Sequence, residues 1–217
     1  MKYKLVCFDL DGTIVDKTEF IWQTIHDHLG TDKKIRETAK RKYYNKEITY
    51  EQWAKHDLKL WEEKKATKKK IFDAIKKLKL MKNAKSTIKT LKKKGLKLAI
   101  ISGSLNIVLD YLFPDYKKYF DYVLINEIFF DKKGNISKTN FTAYDEERKA
   151  LGLKKIAKKE NIKLSECVFV GDHDTDIHIA KEAGLSISFN SKSKELDKVC
   201  DIVIRKKDLR EILNYVY

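Results

Sequence analysis

Proline occurs once in this 217-residue chain and glycine only eight times. So few backbone breakers leave no room for a flexible Gly- or Pro-rich linker and favour helices joined by short loops. Cysteine numbers three, Cys7, Cys167 and Cys200, an odd count at wide spacing. That excludes a disulfide framework and a zinc cluster, and reads as buried thiols. The longest apolar runs, such as the one around Leu98 to Ile101, fall far short of the ~20 residues that cross a bilayer. The N-terminus passes directly into a strand-like segment, without the apolar core and small-residue cleavage site of a signal peptide. The cytoplasm is the expected compartment, with no membrane partner. Acidic residues are the minority charge, 32 against 47 basic, for a net charge of +15. Such a surplus bears on phosphate and polyanion partners rather than on fold.

Apolar residues make up 42% of the chain and charged ones 36%, too much apolar character for a disordered segment. The length fits one large domain, or one carrying a small insertion. Short β-branched runs recur at Tyr3 to Phe8, Leu96 to Ile101, Tyr122 to Ile125, Val168 to Val170, Ser186 to Phe189 and Ile202 to Ile204. Amphipathic stretches of helix length separate them, the alternation of a parallel sheet with crossover helices. The fold class is therefore α/β, a Rossmann-like core built from residues 1–15 and 81–217. Between the first two runs only helical periodicity appears, with faces at Phe20, Ile21, Thr24, Ile25 and Leu29, at Tyr50 to Trp61, and at Ile71, Ile75 and Leu78. Residues 16–80 are expected to form a small all-helical cap. Phe129 to Ile136 carries a glycine turn signal between two short runs and predicts a β-hairpin.

Three apolar runs discharge chemistry at their C-terminal ends. The first leads into Asp9-Leu10-Asp11-Gly12-Thr13, where a period of two sets both carboxylates on one side to address one ligand, at the sheet edge where open α/β folds bind ligands. The second ends in Ser102-Gly103-Ser104 ahead of an amphipathic helix from about Leu105, hydroxyls and amides suited to an anion at a helix N-terminus. The third opens into Gly171-Asp172-His173-Asp174-Thr175-Asp176. Asp172 and Asp176, four apart, would share a face of a helix that started there, and hard carboxylate oxygens at such an edge suit Mg²⁺. In the segment Arg148 to Glu160, helical phase puts Lys149 with Leu153 and Ile156 on the buried side, so it alone among those lysines projects toward the sheet edge.

This order of motifs resembles the haloacid dehalogenase-like superfamily of phosphohydrolases over essentially the whole chain, and within it the phosphoserine phosphatase-like group. The resemblance implies a Mg²⁺-dependent phosphatase that hydrolyses a small phosphate monoester through an aspartyl-phosphate. It implies Asp9 as nucleophile and Asp11 as general acid and base, with Ser102, Gly103 and Lys149 on the phosphate. It further implies a metal held by Asp9, Asp11, Asp172 and Asp176. The cap residues that would set specificity fall at Glu19 and Asp57, the latter near the place of an arginine that would grip a substrate carboxylate, which argues against phosphoserine itself. Phosphoglycolate, a sugar phosphate, a nucleotide or a nucleic-acid end stay open as alternatives. A non-enzymatic nucleic-acid-binding role suits the +15 charge, but the chain lacks a groove-reading motif and its acid clusters would repel a polyanion.

Overall fold

Leu5–Phe8 is apolar and buried at every position, the pattern of a strand covered on both faces of a parallel sheet. In the computed structural model, which describes residues 2–142, 144–145 and 147–217, this strand, β1, is the centre of a seven-stranded sheet. The other strands are β2 (Val15–Asp16), β3 (Lys79–Leu80), β4 (Lys97–Leu105), β5 (Tyr122–Phe130), β6 (Ile136–Asn140), β7 (Cys167–Gly171), β8 (Leu185–Phe189) and β9 (Ile202–Ile204). The sheet order is β6-β5-β4-β1-β7-β8-β9. Every pairing in it is parallel except that of β5 with β6. That pair is the expected hairpin. Asp131 Oδ1 accepts the amides of Lys133 and Asn135, and Gly134 takes the left-handed conformation that the turn requires.

The pleat divides the interior into two layers. Val6 and Phe8 enter one cluster with Leu98, Ile100 and Val170, while Leu5 and Cys7 enter the other with Ala99, Ile101 and Phe169. The second layer is closed by Leu153 and Ile156 of the helix Glu147–Glu160. Numbering the helices in chain order, this is α7, after α1 (Ile21–Leu29), α2 (Lys33–Tyr44), α3 (Tyr50–Glu63), α4 (Lys68–Ile75), α5 (Ala84–Lys93) and α6 (Asn106–Leu112). α8 (Ile177–Glu182), α9 (Lys194–Val199) and α10 (Leu213–Val216) follow. Among the described residues no helix is long and apolar enough to cross a membrane.

Helices α1 to α4 lie between β2 and β3, which pair antiparallel as a separate ribbon. The segment 16–80, expected to be helical throughout, therefore contains Asp16 and all of β3 as strand. Two-residue strands bury too little to leave an alternation in the sequence. Helix α3 starts at a capping box, Thr49 Oγ1 accepting the Gln52 amide while the Gln52 side chain accepts the Thr49 amide. Its buried side is Tyr50, Ala54, Asp57, Leu58, Leu60 and Trp61. Helix α2 has no such stripe, since Ala39 is its only buried residue, and it begins where Asp32 accepts the amides of Lys34 and Ile35.

Candidate active site

The chain leaves β1 into a tight turn at the sheet's C-terminal edge. The Asp9 amide donates to Val170 O of the neighbouring strand, and the amides of Ile14 and Val15 both donate to Leu10 O. Gly12 allows the turn with φ of 79°; a Cβ there would lie 2.0 Å from Asp172 Oδ2. Thr13 Oγ1 donates to Asp172 Oδ1 at 2.7 Å, joining the first turn to the loop after β7.

Lys149 stands at the centre. Its Nζ lies 2.8 Å from Asp9 Oδ1 and 2.7 Å from Asp176 Oδ1, and the lysine is only 2% exposed. Burial opposes its charge, but Asp176 and Asp9 outweigh that and hold its pKa well above the usual lysine range. Asp9, Asp172 and Asp176 each offer an oxygen within 4.8 Å of the others. Burial pushes Asp9 up to about 6 against the pull of Lys149, and burial followed by the charges of Asp9 and Asp176 raises Asp172 well above the carboxylate range. Three buried carboxylates facing one ammonium are short of positive charge. A divalent cation fits that deficit, and an all-oxygen donor set suits a hard ion.

Asp11 points elsewhere. Its Oδ2 accepts the Ile21 amide at the start of α1 (2.7 Å) and its Oδ1 accepts the Ser104 hydroxyl (2.8 Å). Burial, then the charge of Asp9, pushes it up to about 7. Above these groups is a cavity of about 330 Å³, floored by Asp9, Asp11, Ser102 and Lys149 and roofed by α1, α2 and α3. A larger cavity of about 630 Å³ reaches Asp172 but not Asp9, Asp11, Ser102 or Lys149. Phe20 and His173, edge to face at 4.6 Å, belong to the lining of both.

The family model of haloacid dehalogenase-like hydrolases matches residues 3–184. The chain belongs to that family. Among curated relatives, the phosphoserine phosphatase of Methanocaldococcus jannaschii is 33% identical, with 99% of this chain and 98% of that protein covered. The phosphoserine phosphatase of Lactococcus lactis is 29% identical, with 98% and 94% covered. A solved structure of a phospho-aspartyl intermediate analogue of phosphoserine phosphatase superposes with a TM-score of 0.76 at 32% identity, both chains fully covered. A substrate-bound phosphoserine phosphatase complex does so with the same TM-score at 30% identity, again with both chains fully covered.

In this dehalogenase-like hydrolase, Asp9, Asp11, Ser102, Gly103 and Lys149 all line one cavity, and Glu19 and Asp57 reach it from above. Two expectations are corrected. The Asp11 carboxylate lies outside the acid cluster, because the Ile21 amide and the Ser104 hydroxyl take its two oxygens. Asp172 and Asp176 do not share a helix face: Asp174–Asp176 is a 3-10 turn, α8 starts at Ile177, and Asp176 Oδ2 accepts the amides of Asp172 and His173. Ser102 and Gly103 stand ahead of a helix as expected, on β4, which runs through Leu105 to the start of α6 at Asn106. Ser102 Oγ accepts the Ser104 amide and lies beside Asp9, whose pKa it helps to lower, and Gly103 O accepts the Trp22 indole and the Asn126 side-chain amide.

Sequence reasoning missed Ser104 and Thr13, which hold Asp11 and Asp172, although both stand inside the quoted motifs. It also missed Arg36, on a helix that buries only Ala39. Glu19 is half exposed and paired across the mouth with Lys192. Asp57 is buried, 3.2 Å from His26 Nε2 and 3.3 Å from Arg36 Nε.

Proposed function

We propose that this chain is a Mg²⁺-dependent phosphatase of a small phosphate monoester, in which Asp9 forms an aspartyl-phosphate. On this reading residues 1–15 and 81–217 are the catalytic core and 16–80 the cap that closes on the substrate. The observation that carries it is the buried Asp9, held by Lys149 beside Asp172 at the floor of a cavity large enough for a small ester. The likeness to a phospho-aspartyl intermediate analogue supports it.

Asp9 attacks phosphorus, an oxygen–phosphorus bond forms, and the bond from phosphorus to the ester oxygen breaks. Asp11, raised to about 7 by burial and by Asp9, carries a proton in a useful fraction of molecules at neutral pH and delivers it to the departing oxygen. The same carboxylate then takes a proton from the water that displaces phosphate from Asp9. Lys149 and Ser102 hold the phosphoryl oxygens and offset their charge. Asp9 and Asp172, with Asp176 behind them, would hold a divalent ion, which would supply further charge neutralisation at the phosphoryl group. Asp176 also keeps Lys149 charged and in place. Three unpaired cysteines support a reducing compartment, the cytoplasm.

The test is a panel of phosphomonoesters with and without Mg²⁺, run on wild type and on Asp9→Asn. Turnover should require the ion, return on add-back after chelation, and fall ~10³-fold or more in the variant while circular dichroism is unchanged. A tenth of wild-type activity in Asp9→Asn, or full activity in excess chelator, refutes the assignment.

A further inference from the structure

The roof of the catalytic cavity is built around one ion pair. Arg36, from α2, places Nε 3.3 Å from Asp57 Oδ2 of α3 and donates from Nη1 to Gln23 of α1, so three helices converge on one guanidinium. The Arg36 and Asp57 side chains are 15% and 4% exposed. Two histidines also meet Asp57: His56, with Nδ1 4.0 Å from Oδ1, and His26, whose pKa is lowered by burial and whose Nε2 accepts the Trp61 indole. His26 therefore adds no charge to the pair at neutral pH. The other charged side chains that line the cavity outside its floor are Glu19, Glu37, Lys40 and Asp145. Glu19 is already matched by Lys192. Against the charges of Arg36 and Lys40 stand Glu37, Asp57 and Asp145, so among the described residues the cavity has no surplus cation above the floor.

That balance decides what the far end of a substrate can be. A carboxylate brought to Arg36 also approaches Asp57, so attraction and repulsion act at similar range. The carboxylate would in addition lose its hydration among Tyr50, Trp53 and Trp22 without a net positive partner. A hydroxyl bears no such cost. It can accept from the guanidinium, whose Nη2 makes no bond among the described residues, and donate to a carboxylate oxygen. Tyr50 and Trp53, packed with Tyr43, give the cavity an apolar wall suited to the carbon skeleton of a polyol or sugar.

We propose that the Arg36–Asp57 pair is the specificity determinant of this site, selecting phosphomonoesters with an uncharged, hydroxylated far end over those ending in a carboxylate. This rests on the phosphatase reading above, and it departs from the substrate named for the relatives. Arg36 meets the substrate; Asp57 is a positioning residue that holds Arg36 and cancels its charge.

The experiment compares kcat/KM for glycerol phosphate, glucose 6-phosphate and O-phosphoserine, with p-nitrophenyl phosphate as control, in wild type and Asp57→Asn with Mg²⁺. Wild type should favour the better hydroxylated ester over phosphoserine by about tenfold or more. Asp57→Asn keeps the shape, leaves Arg36 uncompensated, and should move the phosphoserine-to-polyol ratio toward phosphoserine by about tenfold. A ratio between two substrates on one sample is untouched by partial misfolding. If the variant does not fold at all, the wild-type ranking decides alone. Phosphoserine leading the wild-type panel, or an unmoved ratio in a folded Asp57→Asn, overturns the proposal while catalysis stands. No turnover of any ester, p-nitrophenyl phosphate included, overturns the phosphatase reading and this inference with it.

Discussion

Replacing Lys149 with methionine should weaken the fold, tighten metal binding and stop turnover, three changes that few other substitutions would produce together. The side chain is 2% exposed and its Nζ lies 2.8 Å from Asp9 and 2.7 Å from Asp176. Methionine keeps the length and most of the volume but removes the only ammonium among the described residues in contact with this acid cluster. Breaking a buried ion pair by removing one partner costs ~3–5 kcal/mol. For a chain of this size each kcal/mol moves Tm by about 2–4 °C, so a metal-free melt in excess chelator should drop by about 10 °C. Ammonium and divalent ion compete for the same carboxylates. Two unit charges ~4 Å apart interact by about 4 kcal/mol at an effective dielectric of ~20. Even a third of that relief lowers the Kd for Mg²⁺ by roughly tenfold, which titration calorimetry would read. Turnover should still fall by ~10²-fold or more, since the phosphoryl oxygens lose a fixed cation. A metal-free Tm within 2 °C of wild type, or a kcat within threefold, would refute the central place given to Lys149.

Gly12→Ala should abolish activity and metal binding, because the new Cβ would fall 2.0 Å from Asp172 Oδ2 at a φ of 79°; activity within fivefold of wild type contradicts this. Asp208→Ala should destabilise by ~2–4 kcal/mol at pH 7, since this buried carboxylate accepts from the Arg210 amide and guanidinium and from Asn83 Nδ2. Those bonds, the Arg210 side chain foremost, hold its folded pKa well below the ordinary value. Its stabilisation is therefore complete above about pH 5 and is lost as pH falls through the folded pKa. Urea melts at descending pH should show the gap between wild type and variant shrinking below about pH 4; a gap that widens there contradicts the account. Calcium should substitute poorly for magnesium in the activity assay, since the larger ion accepts more ligands and can bind both oxygens of Asp9.

The strands were legible because β1, β4, β7 and β8 are covered on both faces and so read as unbroken apolar runs. Helix α3 was legible because its buried residues repeat at helical spacing. Helix α2 and the ribbon β2–β3 were not, since one buries a single alanine and the other pairs only two residues. At the site, Lys149 was found by helical phase, a local property. Whether Asp11 joins the acid cluster depends on where the Ile21 amide and Ser104 hydroxyl lie, and both are set by tertiary packing. Arg36 was illegible for the same reason: its meaning comes from Asp57, on another helix.

The central position of β1 has a consequence for how the chain acquires its chemistry. Leu5 pairs with Lys97 on one side and with Cys167 on the other, partners about 90 and about 160 residues away. Such distant pairings carry large loop-closure costs and form late, after the local helices between them. Asp9 must also wait for Lys149, 140 positions later, and Lys149 for Asp176. During synthesis the first half of the molecule emerges with Asp9 unaccompanied. The acid cluster exists only once β7 has docked against β1, so metal uptake reports completion of folding rather than its beginning.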